Sequence, residues 1–141
     1  MAGKGVSTIY CWGIETDDLK IYLASTARGA LRVGIRLDKS GDCTTYFRDI
    51  FPFESIIKDK SRNRLLFTSV EAALNNRPQR SRLPLDIKGT PFQTRVWKSI
   101  ERIPFGQTKT YGEVASMVGI PGGARAVGQA LGRNPLPLVF P

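Results

Sequence analysis

Whatever chemistry this chain performs, it performs without histidine, since none occurs among its 141 residues. Histidine general bases, serine–histidine triads and histidine metal ligands are excluded together. The two cysteines, Cys11 and Cys43, are too few for a disulfide scaffold or a cysteine-rich zinc site, and no metal is expected. The most suggestive run is Ala124 to Arg133. On a helix of about 100° per residue, Ala124, Val127, Gly128 and Leu131 share a core-facing side. Arg125, Gln129 and Arg133 lie opposite, with Ala126 and Gly132 beside them. A helix that reads base edges in the major groove usually offers several long hydrogen-bonding side chains, and here only Arg125, Gln129 and Arg133 reach. Small residues instead let a backbone come close, which suits the narrow minor groove and sequence-tolerant binding. Spacing alone leaves a second reading open: two short helices packed through small residues, with Arg125 simply solvated.

The elements that would position this run are legible locally. Thr90-Pro91-Phe92-Gln93 combines a capping threonine, proline at the first helical position and glutamine three residues after the cap. Phe92, Val96, Trp97, Ile100 and Ile103 then fall on one helical face, and Pro104-Phe105-Gly106 ends that helix. Thr110-Tyr111-Gly112-Glu113 opens a second helix through about Val118. Gly119-Ile120-Pro121-Gly122-Gly123 is a turn, and the third helix runs from Ala124 to Arg133 before Asn134-Pro135. Helix, glycine-bearing turn, helix is the outline of a helix-turn-helix. Earlier in the chain, residues 7–14, 20–26 and 30–37 read as strands. Asp42 is placed to cap a short helix from Cys43 towards Phe51. Residues 64–74 read as a helix with apolar Leu65, Leu66, Val70 and Leu74. Residues 75–84, polar, basic and proline-broken, form the expected linker, dividing the chain into 1–82 and 85–141.

Hydrophobic residues make up 41% and charged residues 23% of the chain, which is a globular composition. No apolar run approaches the ~20 residues of a membrane helix, and the N-terminus lacks a signal-peptide core. A soluble, intracellular protein is the default. A surplus of 21 Lys and Arg over 12 Asp and Glu gives +9, which favours polyanions. Residues 1–83 carry 14 basic and 9 acidic groups and residues 84–141 carry 7 and 3. Charge alone therefore does not locate an interface.

After Asn134-Pro135 come Leu136-Pro137-Leu138-Val139-Phe140-Pro141. An apolar extended segment usually crosses a core or leads into a site, whereas termini are usually polar and exposed. A carboxylate directly behind Val139 and Phe140 would be costly to bury, and exposing it would strand them in water. The functional polypeptide is expected to continue past Pro141.

Thr90-Pro91-Phe92-Gln93-Thr94-Arg95-Val96-Trp97, Ile103-Pro104-Phe105-Gly106, Thr110-Tyr111-Gly112-Glu113-Val114-Ala115, Arg125-Ala126-Val127-Gly128 and Asn134-Pro135 occur in an order and spacing that resembles the alkylguanine-DNA alkyltransferases, the methylated-DNA–protein-cysteine methyltransferase family. The resemblance is dense over residues 85–141 and general over the first 80. It implies an α+β protein: a small ribonuclease-H-like α/β domain, then a mostly helical, winged-helix-like helix-turn-helix domain. It implies binding of double-stranded DNA through the minor groove, extrusion of an alkylated guanine, and transfer of the alkyl group from the six-position oxygen of guanine, or the four-position oxygen of thymine, to a cysteine. No cofactor or metal is implied, nor any membrane partner. A monomer in the cytoplasm, at the nucleoid when bound, is expected. Arg125 stands where the family has the arginine that fills the gap in the stack, and Tyr111 where it has the tyrosine that helps rotate the target phosphate. Ala124, Ala126, Gly128 and Gly132, with Gln129, fit the surface laid against the duplex. Asn134 matches an asparagine that braces the active-site turn.

The resemblance departs at the end. The family's reactive motif is Pro-Cys-His-Arg-Val, and Pro141 aligns with its first proline, so the acceptor is expected just after Pro141. The histidine that deprotonates that cysteine is also missing, and thiolate is the competent form. Cys11 and Cys43 are expected to be buried structural thiols, the chain as written to be inactive, and its C-terminal core incomplete and marginally stable. A recoded UGA codon for selenocysteine would explain the stop, as would a frameshift, a split protein or a deliberate cut. Rival functions are an alkyltransferase-like protein that marks damage without repairing it, and a helix-turn-helix regulator. Reading the downstream nucleotides tests the recoding: UGA followed by codons for His-Arg-Val is expected, and any other continuation overturns it.

Overall fold

The computed structural model describes residues 8–38, 40–78, 83–104 and 106–139. The chain divides into two compact units, Met1–Asp86 and Ile87–Pro141.

In the first unit, alternating apolar residues build β1 (Thr8–Glu15), β2 (Lys20–Thr26) and β3 (Gly29–Arg36). β2 matches its sequence-expected bounds, and the other two lie one residue away. All three pair antiparallel, and β4 (Ser55–Lys58), absent from the sequence reading, pairs parallel with β1 to give the order β3-β2-β1-β4. Asp42 caps α1 (Cys43–Ile50) as expected, its side chain accepting from the Thr45 amide at 3.1 Å. α1 thereby brings Cys43 and Phe47 onto the sheet face made by Ile9, Cys11, Tyr22, Ala24 and Leu31.

A short 3-10 turn (Ser61–Asn63) leads into α2 (Arg64–Leu74), whose bounds are those read from its periodicity. Its inward stripe is Leu66, Ser69 and Val70. Leu65 and Leu74, expected on the apolar face, are 37% and 41% exposed because one helix cannot turn both flanks of that stripe inward.

The expected linker is shorter than its composition suggests. Its middle, 79–82, lies outside the described residues. Residues 83–86, placed by the sequence at the linker's end and the start of the second half, run beside β3 instead. Ala30 donates to the Pro84 carbonyl at 2.9 Å, the Asp86 amide donates to Ala30 at 2.7 Å, and Thr26 Oγ1 donates to Asp86 Oδ2 at 2.6 Å. A sheet edge left with unpaired amides recruits such a segment.

The second unit is helical. α3 (Pro91–Glu101) and α4 (Tyr111–Met117) each open with a complete capping box, Thr90 with Gln93 and Thr110 with Glu113. Val96, Trp97 and Ile100 of α3 are buried, while Phe92 and Ile103 are half-buried; Phe105 lies outside the described residues. The turn into α5 (Ala124–Gly132) uses Gly119 and Gly122 at φ of 85° and 86°, where a side chain would be strained. Trp97 crosses the unit, its indole Nε1 donating to the Ala130 carbonyl at 2.8 Å in a buried setting. Beyond α5, Pro135, Leu136 and Val139 are buried. No helix among the described residues is long and apolar enough to cross a membrane.

Trp97→Phe removes that bond and leaves a void where the larger ring stood. It should lower the unfolding free energy by ~2 kcal/mol, read by urea denaturation. A loss below ~0.5 kcal/mol would mean that the indole bond contributes little net stability.

Candidate nucleic-acid interface

α4 and α5 are antecedent and second helix of the expected helix-turn-helix, and α5 is pinned from within. Val127 and Ala130 are buried and Leu131 is half-buried, while Arg125, Ala126, Gln129, Gly132 and Arg133 are exposed. Of the four residues expected on the core side, Val127 is buried and Ala124, Gly128 and Leu131 are half-buried, while Ala130, which the expectation omitted, is buried. Trp97 explains the difference, because its indole reaches the Ala130 carbonyl. Unlike α3 and α4, α5 begins at Gly123 with no side-chain cap.

The small residues of α5 are small for different reasons. A methyl built on Gly132 meets no heavy atom within 4 Å, whereas one on Gly128 would lie 3.1 Å from Cε2 of Tyr111. Tyr111, the first residue of α4, nonetheless stays 55% exposed. The fold brings Tyr111 and Gly128 together and leaves Arg125, Ala126, Gln129 and Gly132 facing solvent. The sequence carried no signal for the Tyr111–Gly128 contact. A glycine at helical spacing was the sole hint, and it fitted close approach to a partner as well as to a ring. Gly89 is a second close approach missed from sequence, since a methyl there would fall 2.5 Å from the Trp97 ring.

Asn134 is half-buried and its Oδ1 accepts from the Leu136 amide at 2.8 Å, closing a turn around Pro135. A second turn follows, in which Val139 donates to the Leu136 carbonyl at 3.1 Å. Pro137 stands at its second position and Leu138 at its third, with φ 76°. This is the left-handed geometry that such turns ordinarily give to glycine. Pro141, expected beside the reactive position, lies outside the described residues.

Both cysteines lie away from solvent. Cys11 is 0% and Cys43 3% exposed, both in the core of the first unit. A hydrogen bond with Cys43 and burial together push the Cys11 thiol far above the ordinary cysteine range, so it stays protonated at neutral pH. Among the described residues no cluster of three or more Cys, Asp or Glu side chains is arranged to hold a metal ion.

Comparison with known proteins places these features. Residues 91–141 match the family model described as 6-O-methylguanine DNA methyltransferase, DNA binding domain. The inducible methylated-DNA–protein-cysteine methyltransferase of Bacillus subtilis is 30% identical over 134 residues, covering 95% of this chain and 75% of the relative. The methylated-DNA–protein-cysteine methyltransferase of Mycobacterium tuberculosis is 54% identical over 57 residues, 40% of this chain and 34% of the relative. The crystal structure of Mycobacterium tuberculosis OGT in complex with DNA superposes with a TM-score of 0.70 at 28% identity, covering 95% of this chain and 74% of that one.

Gly132→Ala tests whether the surface of α5 is as open as described. With nothing for the methyl to strike, alanine's better helix propensity should raise the unfolding free energy of the free protein by ~0.5 kcal/mol. A destabilisation in urea would show instead that the protein itself occupies that space.

Proposed function

We propose, for a chain that belongs to the methylated-DNA–protein-cysteine methyltransferase family, a part in the direct repair of alkylated DNA: binding the duplex and extruding the damaged base. The observation that carries this reading is the outer face of α5. It exposes Arg125 and Gln129 beside Ala126 and Gly132, with Arg133 just past its end, and among the described residues nothing lies within 4 Å of a methyl built on Gly132. An exposed helical glycine such as Gly132 costs helix stability relative to alanine. A duplex lying against that helix supplies the reason, because each missing side chain lets the backbone descend into the minor groove.

In this reading the backbone of α5 sits on the sugar-phosphate walls, with Ala124, Ala126, Gln129 and Gly132 along the contact, while Gly128 lies against the Tyr111 ring. Its start, which has no side-chain cap, suits a phosphate. Arg125 enters the stack where the target guanine was and holds the orphaned partner base, offsetting part of the unstacking cost of a few kcal/mol. Tyr111 meets the phosphate of the rotated nucleotide. Asn134 holds the turn at Leu136 and so fixes the start of the segment that leads to the reactive position.

Alkyl transfer itself is displacement at carbon. A sulfur–carbon bond forms as the bond from the alkyl carbon to the guanine oxygen breaks, and guanine leaves with a proton at that oxygen or at a ring nitrogen. Cys11 and Cys43 are unsuited to it, being buried in the first unit with Cys11 held protonated. By the resemblance the family's acceptor follows the motif's proline, here Pro141, and this reading assigns recognition and extrusion to the residues before it. The same assignment makes residues 87–141 the DNA-binding domain.

The test uses duplexes with a fluorescent base analogue at the target position, which brightens when unstacked. The 141-residue chain should bind duplex with an affinity that falls steeply with salt, raise the probe's fluorescence, and take up no label from DNA carrying a radioactive O6-methyl group. Arg125→Ala should cut the fluorescence rise about tenfold while changing affinity for undamaged duplex by no more than about twofold. Equal losses would make Arg125 a plain phosphate contact, and label on Cys11 or Cys43 would sink the assignment of the acceptor.

A further inference from the structure

Tyr111 and Gly128 face one another across the helix-turn-helix, and the fit is tight on one side only. A methyl on Gly128 would stand 3.1 Å from Cε2 and 3.2 Å from Cδ2 of Tyr111. Carbon atoms in contact prefer about 3.5–4.0 Å, so the methyl and the ring cannot both keep these positions. The other side of the ring is open, since Tyr111 remains 55% exposed. Its main chain is not free to adjust, because Thr110 accepts from the Glu113 amide at 3.1 Å and Glu113 Oε1 accepts from the Thr110 amide at 2.9 Å. A yielding ring would therefore have to move by its own torsions, away from α5.

We propose that Gly128 is a positioning residue that acts through Tyr111: the bare main chain of α5 is the seat on which the ring lies, and the seat aims the phenol at the phosphate of the extruded nucleotide. Gly128 is thus small for an internal reason, where Gly132 is small for an external one. The functional half of this inference rests on the reading of the interface given above. The seat itself is a property of the protein without DNA.

A mutant cycle separates the two. Gly128→Ala, Tyr111→Ala, Tyr111→Phe and both Gly128→Ala combinations are compared in the full 141-residue chain. Three quantities are followed: thermal midpoint without DNA, affinity for undamaged duplex, and fluorescence of the base analogue at the target position. Gly128→Ala should change the midpoint less favourably when Tyr or Phe stands at 111 than when Ala does, since only with a ring present must the ring give way before alanine's better helix propensity is realised. Gly128→Ala should reduce the fluorescence rise about fivefold with duplex affinity held within about twofold, and should add almost nothing to the loss caused by Tyr111→Ala. Tyr111→Phe should keep the thermal coupling and lose the fluorescence.

If Gly128→Ala costs the same in both readouts whether or not a ring occupies 111, the seat is refuted and Gly128 touches the duplex directly. Thermal coupling combined with no fluorescence rise from the unsubstituted chain would sink the proposed base extrusion, and with it the aiming role, while the contact itself stands. Thermal independence with normal extrusion would refute the seat alone.

Discussion

The indole of Trp97, donating to the carbonyl of Ala130 at 2.8 Å, is the bond around which the second unit is organised. Ala130 lies in the last turn of α5, where the regular i+4 pairing has ended and its carbonyl accepts from the Arg133 amide at 3.2 Å. Trp97 reaches that carbonyl from α3, so the last turn is held from the core side. Gly89 leaves room for the ring on its other edge, and a methyl there would strike it at 2.5 Å. With its inner face held in this way, the outer face of α5 is left exposed at Arg125, Ala126, Gln129 and Gly132. It is free to be shaped for something outside the molecule, and Gly132 and Ala126 show that freedom.

The helix starts show a matching asymmetry. α3 and α4 each close their first turn with side chains from their own sequence, and the Glu113 carboxyl is held below its usual range by the Thr110 amide and hydroxyl. α5 has no such cap and begins at a glycine after a turn that needs two glycines with positive φ. α5 thus differs from the two capped helices in starting without a side-chain cap, with Ile120 packed against Gly123 and the Arg125 side chain in its first turn.

What the sequence revealed depended on how local the cause was. The bounds of β2 and α2 and both capping boxes came out as read, because caps, proline and periodicity act within a few residues. β4 did not, since Ser55–Lys58 has only two apolar residues, Ile57 is 47% exposed, and the strand exists through backbone pairing with β1 more than forty residues earlier. Residues 83–86 escaped for the same reason: their place is dictated by the free edge at Ala30. At the site, the exposed side of α5 was legible from angle alone. That Ala130 is core, and that Gly128 faces an aromatic ring, were not, because both follow from residues on other helices.

The turn from Leu136 to Val139 has a thermal consequence. A leucine at φ 76° carries a local conformational cost of about 1 kcal/mol or more. The hydrophobic anchoring of Leu136 and Val139, 0% and 7% exposed, holds the backbone against that cost. Strain and anchoring oppose one another at this turn, so loosening the packing around those two anchors, by heat or by substitution, also removes what holds the strained backbone in place.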